Sequence, residues 1–238
     1  MAKDIILYGR HAIMSALSNP NRKISKILCT KENFEELKKY SKNFQINIVD
    51  RKDIDKILPP NSVHQGFALY CKELDNLAIE DIISLAEEKQ TCHLLILDQV
   101  TDPQNIGAII RSCVAFNSIA LIVQDKNSPQ ESGAMAKAAA GMLEHLPICR
   151  VTNLSRAIAQ LKKADFWVIG MDGYAKTTVD KLKKGGKTAI VMGSEGAGMR
   201  RLVEENCDLT IKLPINPAVE SLNVSTAAAI VLYEINKE

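Results

Sequence analysis

The sequence predicts an α/β protein whose larger, C-terminal part is built on a mostly parallel sheet. From His93 onward, short apolar segments of strand length alternate with segments of helical periodicity. This alternation is typical of a parallel sheet that helices cover on both faces. The chain has 238 residues, of which 46% are hydrophobic, so it can bury the core of one large domain or two smaller ones. The predicted strands of this part are 94–97, 119–123, 166–170, 188–192 and 209–213, and its predicted helices are 107–116, 132–142, 154–163, 199–206 and 224–235.

The first 75 residues predict a separate, smaller α/β unit. A helix is expected to begin near Gly9, where apolar residues recur at helical spacing. The Pro59-Pro60 pair ends a later helix, because proline cannot continue one. The chain is therefore divided into a small domain at 1–75, a mostly polar linker at 76–90 and a large domain at 91–238. The other expected elements are strands at 24–29, 46–49 and 66–71 and helices at 33–40, 53–58 and 79–88.

Charge is distributed unevenly between the two predicted domains. Residues 1–75 contain 13 basic and 9 acidic side chains, a net charge of +4, whereas residues 76–238 carry a net charge of −2. A basic module attached to a nearly neutral one indicates binding of a polyanion such as RNA. The alternative is a solvated helix face, because Glu35 and Glu36 are interleaved with the lysines between 31 and 42.

Several protein classes do not fit the composition. The longest apolar run, about 227–233, is too short to cross a bilayer, and the start of the chain lacks the apolar stretch of a signal peptide. No Cys-x-x-Cys pair is present and no histidine stands at metal-ligand spacing from a cysteine. We therefore expect a cytoplasmic protein with reduced thiols, no metal and no membrane contact. The cysteines are at positions 29, 71, 92, 113, 149 and 207.

A glycine-rich segment, Gly193-Ser194-Glu195-Gly196-Ala197-Gly198, follows the predicted strand at 188–192. It does not match a Rossmann fingerprint, because Glu195 stands where the second glycine is required. The nearby tripeptide Gly186-Lys187-Thr188 is like the end of a P-loop, but Lys181 stands where the first glycine of that motif is required, and the tripeptide precedes a strand instead of joining a strand to a helix. A carboxylate within the loop would also repel phosphate. The pattern therefore favours a nucleoside ligand without phosphates.

Two further polar segments are expected at the same edge of the sheet. Ser221, Asn223 and Ser225 open the last predicted helix, and Asp102-Pro103-Gln104-Asn105-Ile106-Gly107 follows the first strand of the large domain. We expect Gly107 to permit a tight start of the next helix and Arg111 to face the loop one turn later. Arg111 either pairs with Glu195 or Asp98 inside the fold or binds phosphate through its guanidinium.

These segments resemble, in order, the three signature motifs of the SpoU (TrmH-like) family of RNA 2′-O-ribose methyltransferases. The first is Asp102-Pro103-Gln104-Asn105-x-Gly-x-x-x-Arg111, and the second is Met192-Gly193-Ser194-Glu195-Gly196. The third is Leu213-Pro214 followed by Ser221-Leu222-Asn223-Val224-Ser225. The N-terminal part is similar to the L30e-like RNA-binding extension of that family, notably at Tyr8-Gly9-Arg10-His11-Ala12 and His64-Gln65-Gly66. The resemblance covers nearly the whole chain.

The resemblance implies a SPOUT-type deep trefoil knot in the parallel-sheet domain and an obligate homodimer. It implies that S-adenosyl-L-methionine is held by backbone groups of Gly193, Leu213 and Leu222. The substrate it implies is a ribose, that of a guanosine, in 23S rRNA. The catalytic group it implies, completed across the dimer interface, consists of Arg111, Asn105, Glu195, Ser221 and Asn223.

Two alternatives to this activity stay open. One is 2′-O-methylation of tRNA. The other is an RNA-binding ribosome-assembly factor with weak catalysis, favoured by Pro217 where relatives usually have glycine and by the acidic Glu220 nearby. Proline fixes φ near −65° and could alter the cofactor loop. The intact catalytic group argues against the assembly factor.

Methyl transfer to a ribose hydroxyl is an in-line displacement, so alignment supplies much of the rate. The hydroxyl must lose its proton by the transition state. Arginine is too basic to accept it, and we therefore expect Arg111 to clamp an RNA phosphate. Asn105 and Asn223 are expected to orient Arg111 and the ribose, and Glu195 to hold the motif geometry.

Overall fold

The computed structural model describes residues 4–182 and 185–237. Residue contacts divide the chain into two compact units, one of Met1–Asp75 with Pro129–His145 and the other of Asn76–Ser128 with Leu146–Glu238. Residues 76–90, expected as a linker, belong to the second unit, and Pro129–His145, expected within the large domain, packs with the first unit. A segment from the middle of the chain therefore completes the N-terminal unit.

The helices and strands follow one another along the chain with short connections. Single 3₁₀ turns lie at Lys31–Asn33, Lys38–Tyr40, Met142–Glu144 and Val179–Lys181. The strands are β1 (Ile5–Tyr8), β2 (Ile24–Cys29), β3 (Ile46–Ile48), β4 (Phe67–Cys71), β5 (Cys92–Leu97), β6 (Leu121–Gln124), β7 (Ile148–Val151), β8 (Phe166–Met171), β9 (Thr177–Thr178), β10 (Lys187–Met192) and β11 (Leu209–Lys212). The helices are α1 (Arg10–Ser18), α2 (Phe34–Leu37), α3 (Arg51–Ile57), α4 (Ile79–Glu87), α5 (Pro103–Ala115), α6 (Gly133–Ala138), α7 (Leu154–Lys163), α8 (Arg201–Glu204) and α9 (Val224–Asn236).

The first unit contains a four-stranded sheet in the order β1-β4-β2-β3. Strand β4 runs antiparallel to both β1 and β2, and β3 runs parallel to β2. Residues 5–8 were not predicted as a strand. They form β1, which pairs with β4 at the edge of this sheet. Helix α6 packs on β1, and a side chain at Gly133 would collide with the backbone of Ile6. Glycine therefore allows α6 to approach the sheet this closely.

A buried ion-pair cluster ties the segment 129–145 to the rest of the first unit. The side chain of Arg22 is fully buried, and its Nη1 lies 2.6 Å from Glu131 Oε1. Its Nη2 donates to Glu144 Oε1 at 2.5 Å. The second oxygen of Glu131 accepts the backbone N–H of Leu74 at 3.0 Å. Buried charges are tolerated only when they are paired in this way.

The second unit contains a seven-stranded sheet in the order β7-β6-β5-β10-β8-β11-β9, and every pair in it is parallel. The predicted parallel sheet is thus confirmed. All of β5 is buried, as expected for a strand covered on both faces. Strand β10, which is late in the sequence, lies between β5 and β8. Of the described residues, none belongs to a helix that is long and apolar enough to span a membrane.

Three helices predicted within residues 91–238 differ from the structure. The first helix of the large domain begins at Pro103 because Asp102 caps it, its side chain accepting the N–H of Gln104 at 2.9 Å. Gly107 is accordingly a buried position inside α5 and not its start. The helices predicted at 132–142 and 199–206 shorten to α6 and α8. Strands β7 and β9 were not predicted, since one includes the charged Arg150 and the other has only two residues.

Candidate active site

A cavity of about 420 Å³ opens at the carboxyl edge of the parallel sheet in the second unit. Its walls are the turn that follows β10, the ends of β8 and β11, and the first turn of α9. Because parallel strands end at one edge, side chains and loops that follow them converge there, and ligands of α/β proteins bind at such edges. The volume lies in the range of small-molecule sites.

The glycine-rich turn after β10 forms one wall of this cavity. Ser194 and Gly198 exchange backbone hydrogen bonds of 3.1 and 3.0 Å, which close the turn. A side chain at Gly193 would collide with the backbone of Gly198 and Met199. Gly196 and Gly198 have φ of 81° and 68°, a left-handed conformation that glycine adopts without strain. The sequence of this turn is therefore dictated by its backbone, whose polar groups line the cavity.

Glu195 is the centre of a hydrogen-bond network that joins three segments distant in sequence. Its Oε1 accepts Nδ2 of Asn223 at 2.6 Å and the backbone N–H of Val224 at 3.1 Å. Asn105 Nδ2 lies 3.4 Å from the same oxygen, and Asn105 Oδ1 accepts Asn223 Nδ2 at 3.0 Å. The structure therefore brings together three of the five residues that the resemblance assigned to catalysis.

Asn223 also caps α9. Its Oδ1 accepts the backbone N–H groups of Ser225 and Thr226 at 3.0 and 3.4 Å and the Ser225 hydroxyl at 2.6 Å. Asparagine at this position satisfies helix N–H groups that would otherwise have no partner. The cap fixes the orientation of the side-chain amide, so its Nδ2 can point only towards Glu195 and Asn105.

Arg111 and Ser221 are not part of this network. Arg111 is exposed on α5, and its guanidinium makes no hydrogen bond or ion pair within residues 4–182 and 185–237. The expected pairing with Glu195 or Asp98 is therefore not observed. Nor do Asn105 and Asn223 hold Arg111, as had been expected. Ser221 is exposed and lines the cavity.

Sequence reasoning did not identify Arg200 as part of the site, and it considered Asp98 only as a partner of Arg111. Asp98 is fully buried at the end of β5, and one of its oxygens lies 2.8 Å from Nε and 2.7 Å from Nη2 of Arg200. The other oxygen accepts the Arg200 backbone N–H at 2.8 Å. This bidentate pair fixes the end of the glycine turn, and it explains why Asp98 is unavailable to Arg111. The only sequence signal was a carboxylate directly after a buried strand.

The three residues expected to hold the cofactor all line the cavity. Gly193 has only backbone to contribute, whereas Leu213 and Leu222 also bring apolar side chains to the lining. Two leucine side chains next to backbone polar groups suit a nucleobase, which is flat and apolar with polar edges. In the described part of the chain, no group of three or more His, Cys, Asp or Glu side chains could hold a metal ion.

Fold and cavity together are those of an α/β enzyme with a small-molecule cavity at the carboxyl edge of its sheet. The model of the SpoU rRNA Methylase family matches residues 93–233. The model described as RNA 2′-O ribose methyltransferase substrate binding matches residues 6–77. The chain belongs to the SpoU rRNA methylase family, and the resemblance read from its motifs is thereby confirmed.

Curated relatives match along nearly their whole length. The chain is 36% identical to the 23S rRNA (guanosine-2′-O-)-methyltransferase RlmB of Coxiella burnetii, covering 100% of this chain and 97% of the relative. It is 33% identical to the putative TrmH family tRNA/rRNA methyltransferase YacO of Bacillus subtilis, covering 97% and 94%. Both units of the present chain are therefore found together in these relatives.

Solved structures share the fold. The SpoU methyltransferase AviRb from Streptomyces viridochromogenes, in complex with AdoMet, matches with a TM-score of 0.83 at 20% identity over 99% of this chain and 90% of that chain. An AdoMet-bound rRNA methyltransferase from Sinorhizobium meliloti matches with a TM-score of 0.82 at 20% identity, covering 99% and 87%. The predicted SPOUT-type α/β class is confirmed by these matches.

Proposed function

We propose that this protein transfers a methyl group from S-adenosyl-L-methionine to the 2′-oxygen of a ribose in 23S rRNA. The observation that carries the proposal is the Glu195–Asn223–Asn105 network at the edge of a 420 Å³ cavity, in a chain of the SpoU family. Such a network gives the polar, pre-organised surface against which a ribose can be aligned. Guanosine as the modified nucleoside is proposed from the names of the RlmB relatives.

The cavity suits the proposed cofactor. Glu195 makes the glycine turn unsuitable for phosphate, which S-adenosyl-L-methionine lacks. We infer that backbone groups at Gly193, Leu213 and Leu222 hold its adenosine part, since all three residues line the cavity. When bound there, the cofactor supplies an activated methyl group. The chain's own contribution is to fix the position of the acceptor ribose and to exclude water from it.

The roles of the catalytic group follow from its geometry. Arg111 has no partner among the described residues, so its guanidinium is available to a phosphate next to the target ribose. In this role it clamps the RNA and stabilises the negative charge that develops on the 2′-oxygen. The proton leaves to phosphate or water. Asn105, Asn223 and Ser221 orient the ribose, and Glu195 holds Asn223 in place.

We infer that the protein is a homodimer. Helix α9 carries two exposed apolar side chains, Ile230 (41% exposed) and Tyr233 (53%), and α5 packs beside it. Exposed apolar residues on an ordered helix favour an interface with a second copy, and the motif resemblance implies the same state. Multi-angle light scattering of wild type and Tyr233→Glu tests this. A dimer that the substitution dissociates supports the inference, and a monomeric wild type contradicts it.

We further infer a deep knot and a cytoplasmic location. The knot is inferred from the motif resemblance, and a sheet in which β10 lies between β5 and β8 is compatible with it. The cytoplasm is supported by the cysteines, all six of which are free, as in a reducing compartment. Burial raises the pKa of Cys113 and Cys207 to about 12, so these thiols resist oxidation.

The position of Pro217 favours the second candidate, a weakly catalytic assembly factor, because proline restricts the backbone of a loop that contributes to the cavity wall. Pro217 lies in the exposed loop between β11 and α9, where the backbone N–H of Ala218 donates to Asn216 Oδ1 at 2.9 Å. The same loop places Ile215 and Glu220 on the cavity wall. Calorimetric affinity for S-adenosyl-L-methionine, compared between wild type and Pro217→Gly, separates the two functions. Tight binding by wild type supports the enzyme.

The direct test is transfer of labelled methyl to unmodified 23S rRNA and to tRNA, with Arg111→Ala as control. Label at a single 23S position, resistant to alkali and lost in the variant, supports the proposal. Label in tRNA overturns the substrate but keeps the chemistry. Tight RNA binding without label in either RNA favours the assembly factor.

A further inference from the structure

The two N-terminal motifs, residues 8–12 and 64–66, meet in the first unit, and the proposed chemistry does not use them. Their backbones are unusual: φ is 88° at Gly9, 57° at Gln65 and 80° at Gly66. A non-glycine residue in the left-handed region costs about 1–3 kcal/mol. Strain of this kind is characteristic of ligand-binding positions. Gln65 is therefore a candidate ligand-binding position.

Gln65 holds a lysine that comes from the segment 129–145. Its Oε1 accepts Lys137 Nζ at 2.7 Å and also the backbone N–H of Arg10 at 3.2 Å. The lysine stem lies directly over Gly9, where an added Cβ would be 2.6 Å from Lys137 Cδ. Because Gly9 has no side chain, there is space for Lys137 to extend to Gln65.

A second layer of contacts fixes Gln65 itself. Its carbonyl oxygen accepts Asn33 Nδ2 at 2.8 Å. The next N–H, of Gly66, lies 3.0 Å from Nδ1 of the buried His64, whose Nε2 lies 3.0 Å from Asp55 Oδ1. These hydrogen bonds fix the backbone from which the Gln65 side chain extends.

The charge of Lys137 is not compensated. Within the described ranges it forms no ion pair, whereas neighbouring Arg10 pairs with Glu36, Nε to Oε2, at 3.0 Å. Partial burial lowers the pKa of Lys137. A partly buried ammonium held only by neutral acceptors is costly, and an anion supplied from outside would remove that cost. The unit in which it lies matches a family model described as substrate binding.

We propose that Lys137 binds a backbone phosphate of the RNA substrate, and that Gln65 is a positioning residue that holds the ammonium in place. The inference rests on the proposed function, because it takes RNA as the substrate. Lysine binds phosphate as a point charge, and each neutralised phosphate adds about 0.7–0.9 to the slope of log affinity against log salt. Segment 129–145 thereby contributes directly to RNA recognition.

The experiment measures affinity for a 23S rRNA transcript over a salt series, for wild type, Lys137→Met and Lys137→Arg. We expect Lys137→Met to raise Kd about five- to tenfold near 0.1 M salt and to reduce the salt slope by about 0.7–0.9. Lys137→Arg retains the wild-type slope. The matched control is Lys56→Met, whose ammonium is paired with Asp53 at 2.8 Å. An unchanged slope in Lys137→Met overturns the proposal.

Two further measurements separate this proposal from a structural effect and from the proposed function. Gln65→Leu is expected to raise Kd while leaving the salt slope unchanged, because the charge remains. Unchanged affinity for S-adenosyl-L-methionine and unchanged melting temperature show that the variants are folded. If wild type binds the transcript but transfers no methyl group, the proposed function fails, and the salt slope still decides the role of Lys137.

Discussion

The side-chain nitrogen of Asn223 lies 2.6 Å from Oε1 of Glu195, while the side-chain oxygen of the same asparagine caps α9. One amide therefore joins the turn after β10 to the first turn of a helix. Because both ends of the amide are engaged, it cannot rotate without loss of the cap or loss of the carboxylate contact. The polar surface of the cavity is rigid for this reason, and rigidity is what alignment of a ribose requires.

Replacement of Glu195 by glutamine preserves the shape of this network but removes its charge. Hydrogen bonds to a carboxylate are worth about 1.5–3 kcal/mol, so we expect turnover to fall about tenfold to a hundredfold. Single-turnover methyl transfer measures the effect. Glu205→Gln is the control, since Glu205 is exposed and pairs only with Arg201 at 2.6 Å. Wild-type turnover in Glu195→Gln would show that the charge is dispensable.

Loss of the guanidinium at position 111 should impair methyl transfer to RNA without changing the affinity for the cofactor. We expect Arg111→Ala to abolish measurable methyl transfer, and Arg111→Lys to lose about tenfold or more, because lysine cannot make the bidentate contact. Calorimetry should give the wild-type affinity for S-adenosyl-L-methionine in both. Arg156→Ala, at an exposed position of α7, is the matched control. Near-normal turnover of Arg111→Lys contradicts the clamp.

The substitution Gly193→Ala should disrupt the glycine-rich turn after β10. The added Cβ of Gly193→Ala collides with backbone atoms of Gly198 and Met199, which cannot move aside as a flexible side chain would. We expect affinity for S-adenosyl-L-methionine to fall about tenfold or more, with a smaller change in RNA affinity. Isothermal titration measures the first and filter binding the second. Equal losses in both affinities would indicate general unfolding instead.

The buried Arg22 should be essential to the stability of the first unit. Arg22→Met leaves two buried carboxylates without their cation, and removal of one partner from a buried pair costs about 3–5 kcal/mol. Urea unfolding measures the change in the free energy of unfolding. Arg51→Met, at an exposed position of α3, should change it little. A small effect of Arg22→Met would mean that the carboxylates are protonated or solvated.

The pH dependence of stability should show the raised pKa of Glu131. Burial is the main cause that holds this pKa above its usual 4.5 in the folded chain. The folded state therefore keeps a proton that the unfolded state has lost, so stability decreases as pH rises from about 4.5 through the folded pKa. The free energy of unfolding of Glu131→Gln should change less with pH over that window. That of Glu35→Gln should change as it does in wild type. An unchanged slope in Glu131→Gln contradicts this origin.

The sequence was informative where local chemistry decides the structure. The glycines after β10 are required by the backbone of one tight turn, and Asn223 is a residue typical of a helix cap. Both could be placed without knowledge of the rest of the chain. The same holds for the parallel sheet, since its strands are apolar along their length.

Contacts between distant residues could not be predicted in the same way. Arg200 is 102 residues from Asp98, and nothing in the adjacent sequence distinguishes it from the exposed Arg201. The alanine-rich segment at 132–140 predicted a packing helix, but composition does not say against which sheet it packs. Its partner is β1, an edge strand of only four residues that was not predicted.

The place of β10 in the sheet has a consequence for synthesis on the ribosome. Residues 187–192 emerge from the exit tunnel after both neighbouring strands, β5 and β8, have been available to pair with each other. Until then the nascent chain has two apolar strand edges and no strand to separate them. We therefore expect direct pairing of β5 with β8 to compete with correct folding until residues 187–192 have been synthesised.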